Sequence, residues 1–463
     1  MEDIEGNFGL AIVKHQIFAA LIACYVIFCY GCNMGFLSPA LPVLLSNNTP
    51  LASGPLTYTE LSWIGSIISI GAVAGTFITG LLSILYGSKR TIVFLAFPVI
   101  ISWLFIHFGN NVYHILLAMF TSGVTGGGFS SGVVLFISEV SNDNVRGRLG
   151  SLVPLANNLG VLMGYIGGAL IEYEHRPYVF ISLPILYLFL VYFLPSTPQY
   201  HLKAGNLQSA EKSLKYYKGC TGETDREKTH LKSEFERMKL LEEERKNCPK
   251  LQLKDFCNWS AFKGIVTCMA MSWFTSESLF ISYASMIFKI SQSAFSPDIS
   301  AIILAIVQII GGLTSTQIGD AFGRKTILFT SLLGLAFGLF VFSTYLYLLH
   351  HSFELVNYAW LPVVCLSFAI FSSSAGISAI ANTCVIENFP TKIRPVGMVF
   401  YSTVNNLVAF VVGKSFPILL EIIYLHGFMF LLAINCCLGI IFVLFMKETK
   451  GKSLDTLVMV ESK

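Results

Sequence analysis

Two pairs of opposite charges recur along this chain with one spacing. Glu139 precedes Arg146, and Glu387 precedes Arg394, by the same interval (146 − 139 = 394 − 387 = 7). A carboxylate and a guanidinium can pair in one conformation and separate in another. Such a latch, worth roughly a few kcal/mol, biases a two-state molecule yet breaks in every cycle. The spacing therefore indicates reversible ion pairing rather than bond cleavage.

Polar side chains inside long apolar runs are the second set of candidates. Polar groups are costly inside a bilayer, so they face a cavity or bond to a neighbouring helix. The residues predicted to line a solute cavity on this ground are Asn33, Asn158, Glu277, Ser278, Asn382 and Asn405. For the asparagines and the serine, hydrogen bonding between helices remains an alternative. Glu277 has three readings: a proton-coupling group, a solute ligand, or a packing residue kept neutral by burial.

The composition indicates that lipid surrounds these residues. The chain has 463 residues, of which 54% are hydrophobic and 12% charged, whereas soluble domains carry about 25% charged residues. A net charge of +3 is too small to indicate nucleic acid. The sequence has no phosphate-binding loop and no metal cluster, and its soluble insert has no plausible nucleophile–base arrangement. We therefore expect a bilayer and a small-molecule solute as partners, no cofactor or metal, and no enzymatic activity.

Twelve apolar segments are long enough to cross a bilayer, for which a helix needs about 20 residues. The predicted spans are 17–46, 59–85, 91–108, 112–140, 149–171 and 177–194, then 259–288, 297–318, 326–349, 358–387, 396–422 and 426–446. The predicted fold class is an all-α membrane protein of 12 transmembrane helices. The predicted domains are a six-helix half (1–195), a charged insert (196–258), a second six-helix half (259–450) and a short tail (451–463).

Lysine and arginine predict the orientation, because they are enriched on the cytoplasmic side. They concentrate on alternate connections and in the insert, which places both termini and the insert in the cytoplasm of a plasma-membrane protein. Asn47 begins an Asn-x-Thr glycosylation sequence in the first external loop. The charge motif repeats at an offset of 387 − 139 = 248. A Gly-x-Lys turn begins at Gly87 and again at Gly323, an offset of 323 − 87 = 236. Such offsets indicate two halves related as parallel repeats.

Several motifs in order resemble the sugar porter family of the major facilitator superfamily, over nearly the whole chain. They are Asp320 to Lys325, the two Glu-x6-Arg elements, Arg146 to Gly150, Pro195 to Pro198, and Glu448 to Leu454. Gly35 to Ala40 and the last of these are most similar to insect trehalose-transporter-like proteins. The resemblance implies a cytoplasmic gate formed by Lys89, Glu139, Arg146, Arg148, Asp320, Arg324, Lys325, Glu387, Arg394 and Glu448. It also adds Tyr283 to the predicted cavity.

The chain departs from the family pattern at both sites. In the first-half gate, Ile84 and Ser88 stand where the second half has Asp320 and Arg324. In the pocket, Ser272 and Trp273 occupy the family's Gln-Gln positions, and Asn382 occupies a tryptophan position. A missing amide leaves sugar hydroxyls unpaired at about 1–3 kcal/mol each. The fold is therefore more firmly indicated than hexose recognition.

Three functions remain open from the sequence. Asn33 stands where proton-coupled relatives have an aspartate, and an amide cannot exchange a proton. The favoured function is therefore a facilitative sugar carrier that works by alternating access. One alternative is a carrier of another polar solute or a proton symporter that uses Glu277. The other is a sensor that binds sugar without transporting it, against which the short tail argues.

Overall fold

The computed structural model describes residues 2–219, 225–247, 258–274, 277–390, 392–446 and 448. Within these ranges the chain forms helices and loops with no strand, which confirms the predicted all-α class. The side chains of Glu277 and Asp320, and the predicted tail 451–463, lie outside the described part.

Ten helical elements precede the insert. They are α1 (Glu2–Leu44), α2 (Tyr58–Tyr86), α3 (Ser88–Phe94), α4 (Ala96–Phe108), α5 (Val112–Gly128), a π-helical turn (Phe129–Val133), α6 (Val134–Val140), α7 (Asp143–Gly150), α8 (Leu152–Leu170) and α9 (Arg176–Tyr192). The insert contributes α10 (Pro198–Lys203), α11 (Leu207–Tyr217) and α12 (Asp225–Asn247). The rest of the chain forms α13 (Trp259–Phe274), α14 (Glu277–Ile290), α15 (Pro297–Ala321), α16 (Arg324–His350), a 3-10 turn (Val356–Tyr358), α17 (Leu361–Ala375), α18 (Ile377–Asn388) and α19 (Arg394–Phe445).

Nine helical segments of the described part are long and apolar enough to cross a membrane, and Arg176–Tyr192 is a shorter apolar helix. Helix α19 is kinked at Tyr424, whose φ of 57° and ψ of 176° are not helical. The kink separates two arms that match the predicted spans 396–422 and 426–446. The number twelve itself stays a prediction.

Helix α2 shows how local sequence fixes an element boundary. Its first turn has a capping box, in which the Thr57 hydroxyl accepts from the Glu60 amide and the Glu60 carboxylate accepts from the Thr57 amide at 2.8 Å. These bonds satisfy amides that the helix leaves unpaired. The helix ends at Gly87, whose φ of 82° favours glycine. The chain then turns into α3, which begins with Ser88 and Lys89.

Glycines bring α1 and α8 close together within the first half. A Cβ atom at Gly160 would lie 2.2 Å from the Phe28 carbonyl oxygen, and one at Gly31 would lie 2.3 Å from the Asn157 carbonyl oxygen. Only glycine permits backbones to approach this closely. This contact fixes which face of α1 is turned towards the other helices.

In the part of the chain that the structure describes, three helix pairs make the most extensive contacts between the first half (α1–α9) and the second half (α13–α19). They are α1 with α14, α2 with α19, and α8 with α15. Under the predicted repeat, α2 corresponds to α15 and α8 corresponds to the first arm of α19. The last two pairs are therefore equivalent, as expected for parallel repeats around one axis.

The insert packs on the first half and defines one side of the bundle, which we call the insert face. The Gln16 side chain donates to the Tyr217 carbonyl at 3.4 Å and accepts from the Asn142 amide at 2.9 Å. The Tyr217 hydroxyl donates to the Pro195 carbonyl at 2.6 Å. The side with the loops after α1 and α14 is called the opposite face.

Candidate functional site

A central cavity of about 140 Å³ lies between the two halves. Helices α1, α2, α13, α14 and α19 all contribute to it. Its polar lining consists of hydroxyl and amide side chains, among them Tyr30, Ser69, Ser272, Ser278, Ser282 and Asn405. Such groups donate to and accept from hydroxyls, so the lining suits a polar, hydrogen-bonding solute.

Tyr283 closes this cavity towards the opposite face. Its side chain is fully buried and its ring lies 4.7 Å from the Phe416 ring. Its hydroxyl donates to the Gly413 carbonyl at 3.2 Å, and the Leu61 carbonyl of α2 is 3.4 Å away. The phenol thus contacts both halves at once. The structure therefore brings together three predicted cavity residues: Ser278, Tyr283 and Asn405.

A second, larger cavity of about 970 Å³ opens at the insert face, and we call it the insert-face vestibule. Asn158 of α8 and Asn382 of α18 line it, together with Gln308 of α15. It extends to Arg148, which is exposed, and to Arg324. Two further predicted cavity residues, Asn158 and Asn382, therefore line this vestibule rather than the central cavity.

The remaining two predicted cavity residues are placed differently. Asn33 is fully buried within the first half, where its carbonyl oxygen accepts from the Ser102 hydroxyl at 3.1 Å. Its amide nitrogen is buried without a hydrogen-bond partner. Glu277 is the first residue of α14 and directly precedes Ser278, which lines the central cavity. Its side chain lies outside the described part of the chain.

Neutral groups bond the predicted gate residue Glu139, one at its carboxylate and one at its backbone carbonyl. The Ser88 hydroxyl donates to the Glu139 carboxylate, and the Gln199 amide donates to the Glu139 carbonyl at 3.0 Å. A hydroxyl thus stands where the second half has Arg324. Lys89 follows Ser88 in α3, and the Arg146 guanidinium reaches the Ser141 carbonyl at 3.5 Å.

Three residues predicted for the second-half gate, Arg324, Lys325 and Glu448, come together at the start of α16. The Arg324 guanidinium lies 3.4 Å from the Glu387 carboxylate. The Glu448 carboxylate accepts from the backbone amides of Arg324 at 3.0 Å and Lys325 at 3.1 Å. A carboxylate there also complements the helix dipole. Arg394 donates to the Ile386 carbonyl at 3.1 Å, at the end of α18.

At the opposite face the two halves are in direct contact. The Ser38 and Ser285 hydroxyls are hydrogen-bonded at 3.0 Å, and the Ser285 amide donates to Ser38 at 2.8 Å. The two serines are 247 positions apart, close to the repeat offset, so they meet at the repeat axis. The Tyr165 hydroxyl donates to the Ile281 carbonyl at 2.6 Å. This arrangement is closed at the opposite face and has its vestibule at the insert face.

Sequence reasoning missed the contacts between the halves at this face, including one made by a charged residue. The Lys414 ammonium donates to the Ser62 hydroxyl at 2.9 Å and lies 3.7 Å from the Trp63 ring centroid. The available signal was a lysine within the apolar span 396–422. Charged residues inside membrane helices are rare and often functional.

Comparison with known proteins supports the resemblance noted from the motifs. Residues 19–459 match the family described as "Sugar (and other) transporter". The chain is 27% identical to the facilitated trehalose transporter Tret1 of Bombyx mori over 451 residues, which covers 96% of this chain and 87% of that protein. It is 29% identical to Tret1 of Apis mellifera ligustica, covering 95% and 87%. Against Tret1 of Drosophila grimshawi, at 28% identity, it spans 47% of the relative's length.

Solved structures agree on the fold. The inward-open xylose transporter XylE from E. coli superposes with a TM-score of 0.77 at 19% identity, covering 96% of this chain and 99% of that one. A partially occluded inward-open form of XylE gives a TM-score of 0.75 at 17% identity, covering 95% and 100%. The family match spans nearly the whole chain, and the fold has a polar cavity between two halves. The chain therefore belongs to the family of sugar (and other) transporters, has the major facilitator fold, and is a multi-pass membrane transporter.

Proposed function

We propose that the chain is a facilitative carrier of a sugar, working by alternating access. The observation that carries this proposal is the central cavity between the halves, with its hydroxyl and amide lining. A sugar presents several hydroxyls, each of which both donates and accepts. The names of the insect relatives support a sugar as the solute, with trehalose the first to test.

One serine and one tryptophan stand at the family's paired amide positions. Ser272 lines the central cavity, whereas the neighbouring Trp273 is exposed. Asn405 supplies an amide from α19, on the other side of the cavity. Single hydroxyls bond sugar hydroxyls less selectively than a bidentate amide. A different polyhydroxylated solute is therefore the second candidate.

We propose that transport is uncoupled from protons. Asn33 carries no titratable group and bonds to Ser102 within the first half. Proton symport through Glu277 is the alternative. A non-transporting sensor is not favoured, because the curated relatives are transporters. For the same reason we propose no covalent chemistry for this chain.

Flux measurements in proteoliposomes test the function. We expect each transported sugar of a labelled panel that includes trehalose to move down its own gradient, at a rate that an imposed pH gradient does not change.

The variant Asn405→Ala tests the cavity. It should weaken the apparent affinity for the sugar about tenfold, because one hydrogen bond to a buried hydroxyl is lost. Its matched control is Asn435→Ala, whose amide bonds the Trp273 carbonyl on the exposed surface. Uptake against the sugar gradient that is driven by pH and abolished by Glu277→Gln would establish symport instead.

We propose that the charged residues at the insert face form the gate that closes this side. In the gate, Arg324 and Glu387 pair within the second half. Glu387→Gln should slow exchange several-fold at equal surface abundance, because the neutral amide weakens the attraction to Arg324. The control is Glu421→Gln, which neutralises an exposed carboxylate of α19, away from Arg324. Equal exchange rates in the two variants would remove Glu387 from the gate.

We propose that the insert face is cytoplasmic, that the carrier resides in the plasma membrane, and that the domain division is 1–195, 196–258, 259–450 and 451–463. Lysine and arginine concentrate on the insert side.

This orientation predicts which asparagines can carry a glycan. Asn47, an exposed residue after α1, should accept a glycan. Asn258, which also begins an acceptor sequence, should remain unmodified. Mobility shifts of Asn47→Gln and Asn258→Gln after glycosidase treatment test this, and a glycan on Asn258 would reverse the orientation.

A further inference from the structure

Lys414 crosses from the second half to the first half at the opposite face. Its ammonium is held by Ser62 at 2.9 Å and lies 3.7 Å from the centre of the Trp63 ring. The two partners are adjacent in α2. An ammonium above an indole face is attracted by the ring's electron density, and the attraction grows as water is excluded. We call this contact the Lys414 clasp.

A second residue of α19 contacts the same tryptophan. The Phe410 ring lies 6.1 Å from the Trp63 ring, and Phe410 precedes Lys414 by one helical turn. Residues at positions i and i+4 share one face of a helix. One face of α19 therefore holds Trp63 through both an aromatic and a cationic contact. A lysine that merely extended its ammonium to the lipid headgroups would not need either partner.

The clasp exists only while α2 and α19 are together at the opposite face. Opening that face separates the two helices, so the contact stabilises one orientation of the carrier and not the other. At the insert face, the first-half carboxylate Glu139 is held by the hydroxyl of Ser88. The structure thus has a cationic contact between the halves at the opposite face, whereas the Ser88–Glu139 and Arg324–Glu387 contacts at the insert face each lie within one half.

We propose that Lys414 is a positioning residue that holds the two halves together at the opposite face and shifts the resting carrier towards the form open at the insert face. The proposal rests on the alternating-access function proposed above. A solute arriving at the opposite face binds only the fraction of carriers open there, so its apparent affinity falls with that fraction. The clasp therefore makes affinity lower from the opposite face than from the insert face.

The test measures the fraction open at the opposite face without using any solute. Ser69 lines the central cavity below the closed contact, so Ser69→Cys serves as the reporter. A membrane-impermeant maleimide is added to sealed vesicles from each side in turn. The chain without the reporter gives the background from its native cysteines. With Lys414→Met we expect labelling from the opposite face to accelerate about tenfold, and KM for entry from that face to fall.

Matched variants separate the clasp from general damage. Lys289→Met removes an exposed lysine at the end of α14 and should leave labelling unchanged. Lys414→Arg keeps the charge and should restore most of the wild-type rate. Trp63→Leu removes the first-half partner of the contact and should accelerate labelling as Lys414→Met does. Because both variants remove the same contact, the labelling rate of the double variant should differ little from that of either single variant.

Two results would overturn the proposal. One is unchanged labelling in Lys414→Met and Trp63→Leu, with wild-type thermal stability in detergent. The other is full additivity of the two effects in the double variant. If labelling shifts as expected but no sugar moves in any proteoliposome assay, the clasp is retained and the transport proposal alone fails.

Discussion

Gly65→Val is expected to abolish solute flux in a protein that still folds. A Cβ atom at Gly65 in α2 would lie 1.9 Å from the Tyr283 hydroxyl and 2.4 Å from the ring carbon that bears it. Tyr283 belongs to the second half, and its buried ring packs against Phe416. The valine side chain would occupy the position of the Tyr283 hydroxyl, so we expect that the halves cannot close at the opposite face in the observed way. Each half keeps its own packing.

Proteoliposome flux and detergent stability together measure this effect. We expect flux at least ~100-fold below wild type with a near-normal unfolding temperature, because the clash prevents one of the two orientations rather than the fold. Gly80→Val is the matched control. Gly80 lies on the same helix as Gly65, and a Cβ atom at Gly80 would meet no atom of a neighbouring segment within 4 Å. Adding Tyr283→Ala to Gly65→Val should recover part of the flux. Equal flux in Gly65→Val and Gly80→Val would contradict the predicted closure.

Gly160→Leu is expected to prevent stable folding of the first half. A Cβ atom there would lie 2.2 Å from the Phe28 carbonyl oxygen and 2.9 Å from the Gly31 Cα, and both are backbone atoms. Helices α1 and α8 must therefore separate along their contact. Overpacking of this kind costs about 3 kcal/mol, a large part of the stability of a protein.

The measurement is surface abundance together with the unfolding temperature of the purified protein. Gly160→Leu should reduce both, in contrast to Gly65→Val, which should reduce flux alone. Gly150→Leu serves as the control, because a Cβ at Gly150 meets no atom within 4 Å. Normal abundance of Gly160→Leu with unchanged stability would show that the two helices tolerate separation.

The helices, and the proximity of Arg324 to Glu387, can be predicted from the sequence because both depend on local patterns. Apolar runs of membrane-spanning length mark the helices. Arg324 and Glu387 stand at helix ends within one half, where a repeated motif places them, and they lie 3.4 Å apart. Ser278 and Asn405 were predicted as cavity residues from polarity within apolar runs, and both line the central cavity.

Contacts across the two halves could not be predicted in this way. Lys414 and Ser62 are 352 positions apart, and their contact depends on how two helices from different halves are rotated. Rotation also decides where Asn33 lies. The glycine contact between α1 and α8 fixes the orientation of α1, and Asn33 is then buried against Ser102. Its polarity alone could not distinguish this position from the cavity.

The bonds of α11 have a consequence for observing the carrier at work. Tyr217 is bonded to Gln16 and Pro195, which belong to α1 and to the segment after α9. Helix α11 is thus tied to the first half at two separate points, and we expect it to move together with that half. A fluorophore on the exposed Lys212 of α11, paired with one on the exposed Lys392 of the second half, would convert each turnover into a change of distance. Energy transfer between them would follow single carriers in real time, with no label inside the membrane.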